Sequence, residues 1–282
     1  QGIDSEVSGD LVVNGETMAA GAEAKTNDSS ADLWMVTPQG TGYFVPKGND
    51  PIIIKHGEQS SPNETGDNVD DPVTVTAAKA YINHGVKTSG KEYVFVAVPA
   101  TNVTDMAELA AKMANKGGEI FEIKAQNEKL HALAYKPAKV TAYSIFTAVD
   151  GLNFGRLKST ASEMLLMEKP GVNDKMLSLA ISNPNLRPQA DNVYGWVATP
   201  TQTSIVLDGE WVLNGDAIDG VTITPQSDKT TKIDLTLTEG EPVYIDLVDK
   251  DAVGITTVDQ SEQAHVYTAG HDVFVVNAVG TA

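Results

Sequence analysis

Tyr81-Ile82-Asn83-His84-Gly85 places a phenol and an imidazole three residues apart, the two group types that could share proton abstraction and redelivery. In an extended strand, residues three apart point to opposite faces, so Tyr81 and His84 pair only if the chain turns between them. Packing is the simpler account. Trp34, Trp196 and Trp211 are the carbohydrate-contact candidates, since an exposed indole stacks on a sugar ring. Apolar neighbours around Trp34 and Trp211 also suit a buried core position. Asp67, Asp70 and Asp71, with Asn63, Glu64 and Asn68 nearby, offer hard oxygen donors that suit calcium as a structural ion. The segment lacks the ligand, glycine and glutamate spacing of a dedicated calcium loop, and a solvated loop explains it as well.

The remaining chemistry is sparse. His56, His84, His131, His265 and His271 include no pair at i, i+4 on a helix, so no zinc site is expected. No serine sits in a Gly-x-Ser-x-Gly elbow, and Gly40, Gly42 and Gly48 form no phosphate loop or dinucleotide fingerprint. No catalytic residue is assigned, and no cofactor is expected beyond the calcium candidate.

The elements that would position these groups read as β. Short runs of Val, Ile, Thr, Tyr and Phe recur between Gly, Pro, Asn and Asp, predicting an all-β fold of stacked antiparallel sheets or a β-sandwich. Strands are expected at residues 32–36, 42–45, 52–56, 73–77, 80–84 and 93–98. More are expected at 120–124, 130–135, 140–147, 164–168, 176–182, 203–207, 210–213, 221–224, 232–237, 243–248 and 265–276. Asp208-Gly209 between two such runs predicts a two-residue hairpin turn. One helix interrupts the pattern over about residues 104–116: Val103, Met106, Ala110 and Met113 share a face, Thr101 or Thr104 caps the start, and Gly117-Gly118 ends it. The helix joins two β domains.

A net charge of -18, from 38 acidic and 20 basic residues, repels phosphate backbones and anionic lipid headgroups, so neither nucleic acid nor membrane insertion is expected. Cysteine is absent, and no apolar run reaches the length of a membrane span. With the sequence starting at Gln1, any export signal is expected to have been removed or to lie upstream.

Several pieces in order resemble polysaccharide lyase family 8, the family of chondroitin AC and ABC lyases, hyaluronate lyases and xanthan lyases. They are Trp34-Met35-Val36, Gly40-Thr41-Gly42-Tyr43, Gln59-Ser60-Ser61, Tyr81-Ile82-Asn83-His84-Gly85, Glu92-Tyr93-Val94-Phe95, Leu130-His131-Ala132-Leu133 and Leu179-Ala180-Ile181-Ser182-Asn183-Pro184-Asn185-Leu186. The similarity runs from about Asp32 to about Asp249. It implies that residues 1–117 end a middle super-sandwich domain and that 118–250 form a C-terminal β-sandwich, while residues 251–282, beyond the similarity, are expected to be a β-rich tail. That tail weakly resembles the start of a sorting or accessory domain of Bacteroidetes secreted proteins.

The resemblance also implies a bacterial protein, secreted, periplasmic or at the cell surface. Its parent would break a uronic-acid linkage of glycosaminoglycan, chondroitin sulfate or hyaluronan, by β-elimination. The family's catalytic Asn, His, Tyr and Arg belong to a helical α/α-toroid with no counterpart in these residues, so none is carried over. The implied partner is the parent's own N-terminal toroid, and polysaccharide is reached through the parent. The alternative is a stand-alone carbohydrate-binding β-sandwich.

Overall fold

The computed structural model describes residues 9–61, 73–86, 89–114, 117–171, 174–184, 200–238, 240–252 and 274–279. Trp196, Asp67, Asp70, Asp71, His265 and His271 lie outside them. The chain divides into two compact units, residues 1–119 with 265–282, and residues 120–264.

The first unit contains β1 (Leu11–Val13), β2 (Glu16–Met18), β3 (Ala22–Asn27), β4 (Leu33–Val36), β5 (Gly42–Val45), β6 (Ile52–Ser61), β7 (Val73–Ile82), β8 (Glu92–Val98) and α1 (Val103–Met113). Strands β2-β1-β4-β5-β8 run antiparallel in one sheet, and β3-β6-β7 form a second. Period-two alternation explains the layering. Leu33, Met35 and Val45 face one way and pack with Leu11, Val13 and Met18 against Ile52 and Ile54 of β6. The opposite face of the first sheet receives the helix: a Cβ on Gly42 would lie 2.5 Å from Met106 Sδ and 2.8 Å from Thr101 Cγ2. Met106, Ala110 and Met113 are its buried stripe.

The helix differs from its sequence expectation at both ends. Its N-cap is Asn102, whose Oδ1 accepts from the Asp105 amide at 3.0 Å, rather than Thr101 or Thr104. It closes at Met113, where the Gly117 amide donates to the Met113 carbonyl and that of Glu119 to Lys112. Gly118 has a φ of +49°, and a Cβ there would press on the Lys112 and Ala114 carbonyls, so glycine is required. The runs expected at 73–77 and 80–84 are one strand, β7, paired along its length with β6 from Ile52↔Ile82 to Ser61↔Val73. Strands β1, β2 and β3 were not legible as strands, and β3 is polar and almost wholly exposed.

The second unit contains β9 (Phe121–Gln126), β10 (Leu130–Tyr135), β11 (Val140–Ile145), β12 (Leu157–Thr160), β13 (Met164–Pro170), β14 (Met176–Ser182), β15 (Thr201–Asp208), β16 (Trp211–Leu213), β17 (Val221–Pro225), β18 (Thr230–Leu237) and β19 (Val243–Asp249). A seven-stranded sheet, β16-β19-β14-β13-β11-β10-β9, faces a four-stranded sheet, β12-β15-β18-β17. Leu177, Leu179, Ile181, Ile245 and Leu247 from the first meet Leu157, Ile205, Leu207, Ile233, Leu235 and Leu237 from the second. Each such side chain contributes ~2 kcal/mol when fully buried. The last described strand, β20 (Phe274–Val279), pairs antiparallel with β8.

Asp208-Gly209 does not make a hairpin. β15 pairs with β18 in the four-stranded sheet, whereas β16 pairs with β19 in the seven-stranded one. Gly209 has the positive φ, +99°, that its type supplies, but uses it to turn a corner between sheets. Otherwise the expected architecture holds, with antiparallel sheets throughout and one α-helix among the described residues.

Candidate functional site

Two of the sequence stretches singled out above, Tyr81 to Gly85 and Glu92 to Phe95, meet in the first unit. The Asn83 amide donates to the Pro51 carbonyl at 2.7 Å, which holds the segment after β7 beside the loop before β6. Asn49 fastens that loop to β8, donating to the Val94 carbonyl at 3.1 Å and accepting from the Val94 amide at 3.0 Å. Ser29 Oγ donates to the Asp50 carbonyl at 2.9 Å. Backbone clamps of this kind fix Asp50 from three sides.

Around Asp50 the side chains converge. His84 Nδ1 lies 2.7 Å from Asp50 Oδ2, and Lys91 Nζ lies 2.9 Å from Oδ1. The His84 ring, and after it the Lys91 ammonium, hold the Asp50 carboxyl below the usual carboxylate range. With Nδ1–H donated to a carboxylate, the imidazole is oriented and its Nε2 is left for an outside partner. The His84 ring lies 5.9 Å from Tyr93, which stacks on Phe95 at 6.1 Å, and Phe95 meets Tyr43 at 6.4 Å. The result is an aromatic track ending in an oriented imidazole and an ammonium. It can hydrogen-bond an oxygen-rich or anionic group.

Tyr81 is not part of this arrangement. It lies within β7, 40% exposed, with Lys79 Nζ 5.7 Å from its ring centre, while His84 lies beyond the strand end. The Tyr81 and His84 pairing is therefore absent.

The tryptophans separate. Trp211 is 3% exposed, which corrects its candidacy for sugar contact. Its indole N–H donates to the Asp208 carbonyl at 2.7 Å, its amide donates to Thr231 Oγ1 at 2.7 Å, and Arg156 lies over its ring at 5.8 Å. The residue is the pin of the sheet-crossing corner. Trp34 is half-buried in β4, its amide bonded to Asn14 Oδ1 at 2.8 Å. Of the three, Trp34 alone keeps described exposed surface for a sugar. His56 is buried with Nδ1 2.7 Å from the Met18 carbonyl, a structural role. Among the described residues no three acidic or imidazole groups gather into a metal-holding set.

Sequence reading missed one buried constellation. Glu168, on β13, is 3% exposed, and its carboxyl accepts from the Tyr143 hydroxyl at 3.0 Å and from the Arg156 amide at 2.9 and 3.0 Å. Burial pushes both the Glu168 carboxyl and the Tyr143 phenol upward. A Cβ on Gly155 would overlap Glu168 Oε1 and the Tyr143 hydroxyl, so the glycine lets the 150–156 segment lie directly on this pair. The signal was present: alternation along Met164, Leu166 and Glu168 sends the glutamate inward, where it must find donors.

Residues 3–110 match the model of the polysaccharide lyase family 8 super-sandwich domain. No curated protein sequence matches the chain. Among solved structures it superposes on a Paenibacillus xanthan lyase with a TM-score of 0.62 and 14% identity, covering 88% of this chain and 23% of that one. A chondroitinase AC lyase, solved with oligosaccharides, matches with a TM-score of 0.59 and 15% identity over 85% of this chain and 31% of that one. For a Streptomyces coelicolor A3 chondroitin AC lyase in complex with chondroitin sulphate, the values are 0.56, 15%, 81% and 27%. At such identities the likeness establishes the fold. The chain spans between 23% and 31% of the length of these three structures.

Proposed function

We propose, from the premise that residues 3–110 carry the super-sandwich domain of polysaccharide lyase family 8, that this chain is the non-catalytic β region of a secreted bacterial lyase. The carrying observation is the pairing of that match with structural likeness to a xanthan lyase and two chondroitin AC lyases that are each more than three times longer than the part covered. The missing portion would be the helical catalytic domain, and this chain would support it. The parent would cleave a uronic-acid-containing polymer by β-elimination, neutralising the carboxylate, removing the C5 proton and protonating the leaving oxygen. Chondroitin sulfate, hyaluronan and xanthan are the candidate substrates. The Asp50, His84, Lys91 and Tyr93 cluster is the surface best suited to meet the catalytic domain or the polymer it holds.

The chain alone is expected to show no turnover of chondroitin sulfate, hyaluronan or xanthan when the unsaturated product is followed by ultraviolet absorbance. Turnover at the level of a complete lyase would overturn the reading. The genomic sequence preceding Gln1 gives a second test. An α/α-toroid bearing Asn, His, Tyr and Arg is expected there, and an unrelated domain would refute the proposed partner.

A further inference from the structure

At one end of the second unit's sandwich lies a cleft of about 600 Å³, within the range of small-ligand sites. Its walls are the β9–β10 turn, the segment 148–152 that follows β11, and the far end of β12. The walls are held from within. The Thr160 amide donates to the Val149 carbonyl at 2.9 Å, and that of Leu152 to the Lys158 carbonyl at 3.1 Å. Farther along the same segment, the Arg156 amide is anchored on buried Glu168.

The lining offers hydrogen-bonding groups that the fold does not use. Asn127 Oδ1 is occupied by the Lys129 and Leu130 amides, at 2.9 and 3.1 Å, which leaves its Nδ2 donors for an outside partner. Lys129 is exposed and has no ion pair among the described residues. Asp150 spends Oδ1 on the Gly151 amide at 2.7 Å and keeps Oδ2. Ser159 also lines the cleft, and its hydroxyl has no partner among the described residues. Leu130 and Leu152 supply apolar surface between these groups. At the same turn the Phe146 amide donates to the Lys129 carbonyl at 2.9 Å, and the residue is 53% exposed with its ring at right angles to that of His131, 5.0 Å away.

Donors and acceptors interleaved with apolar patches match the surface of a sugar, which alternates hydroxyls with C–H faces. One ammonium and one carboxylate leave the cleft near neutrality. On a chain at -18, a densely sulfated ring would be driven off by the field of the whole molecule. We infer that this cleft binds an uncharged stretch of oligosaccharide. The inference rests on the lyase reading and narrows it: chondroitin sulfate and hyaluronan carry a uronate in every disaccharide and have no uncharged stretch, so the cleft favours xanthan among the proposed polymers and gives the β region a hold on it apart from the Asp50 and His84 cluster.

The test is titration of the 282-residue chain with a neutral β-1,4-linked gluco-oligosaccharide and, at equal ionic strength, a chondroitin sulfate oligosaccharide. Backbone amide shifts locate binding and calorimetry measures it. The neutral sugar is expected to shift the amides of residues 127–130 and 148–152 and to bind more tightly than the sulfated one. Ala148→Trp, an exposed residue of the lining, fills the cleft and should weaken binding at least about tenfold with an unchanged melting temperature. Ser159→Ala should weaken it about fivefold, the worth of one hydrogen bond, and serves if the tryptophan variant misfolds. No shifts at these amides, tighter binding of the sulfated probe, or full affinity in both variants would overturn the inference. Those failures would leave the lyase reading intact, since that is tested separately, by turnover and by the sequence preceding Gln1.

Discussion

Replacing Glu168 by Gln isolates what the buried carboxyl does for the second unit. In the native protein four hydrogen-bond approaches converge on it, from Tyr143 Oη, from the Arg156 amide to both oxygens, and from the Leu157 amide. A glutamine can keep the Oε1 contacts, but its NH2 group then faces backbone N–H, and one donor is left against another. Such a conflict costs ~1–3 kcal/mol. The pH dependence separates this loss from that of charge. Burial raises the Glu168 carboxyl in the folded state above its ordinary value, so the unfolded chain ionises first as pH rises. The wild type therefore has the full contribution below the ordinary glutamate value and loses it as pH rises toward the folded value, at up to ~1.4 kcal/mol per pH unit within that window. Glu168→Gln has no such slope. The melting-temperature gap between the two proteins should be widest near pH 4 and narrow toward neutrality, by roughly 4 °C per pH unit across the window for a unit of this size. Circular-dichroism melts of both proteins from pH 4 to 7 measure the gap directly. A gap that widens as pH rises would mean that the three donors outweigh burial and that the folded state favours the carboxylate, contrary to the argument.

Other perturbations probe the remaining supports. Gly155→Ala should destabilise the second unit by ~2–4 kcal/mol in denaturant unfolding, because the new Cβ overlaps the Glu168 and Tyr143 oxygens at a φ of +65°. Gly42→Val should pry α1 from its sheet, and Met106→Ala in the same chain should restore part of the lost stability, a positive coupling readable in a double-mutant cycle. Asn102→Ala removes the helix cap and should cost ~1 kcal/mol by urea titration. Trp211→Phe keeps most of the packing but leaves the Asp208 carbonyl without its indole donor, and a loss of ~1–2 kcal/mol is expected in the same titration. Chondroitin sulfate affinity at physiological salt should be weak, and salt-sensitive micromolar binding on a heparin or chondroitin sulfate column would disprove the argument from net charge.

Local pattern sufficed where local physics decides. The limits of β10 and β14 are those that alternation predicts, because a strand with one buried face must repeat every two residues. The helix was visible for the same reason at a spacing of 3.6, although its cap is Asn102, since Thr101, Asn102 and Thr104 are all competent and only the chain's entry angle selects among them. Gly209 needed its positive φ in either reading, yet a turn and a corner share that backbone. Which one forms depends on whether Trp211 to Leu213 gains more by pairing with β15 or by joining β19 across the core. The short polar strand β3 carries no periodic signal and exists as β because β6 offers it a hydrogen-bonding edge. Likewise nothing in the sequence ties Asp50 to His84, 34 residues later. The pairing of β6 with β7 and the Asn49 clamp on β8 bring them within 2.7 Å. Composition and period thus determined an antiparallel β protein with one helix and the inward faces of its strands. Tertiary structure alone decided which strands became neighbours, and with that which polar side chains meet, because pairing is a contest among distant edges that no local residue settles.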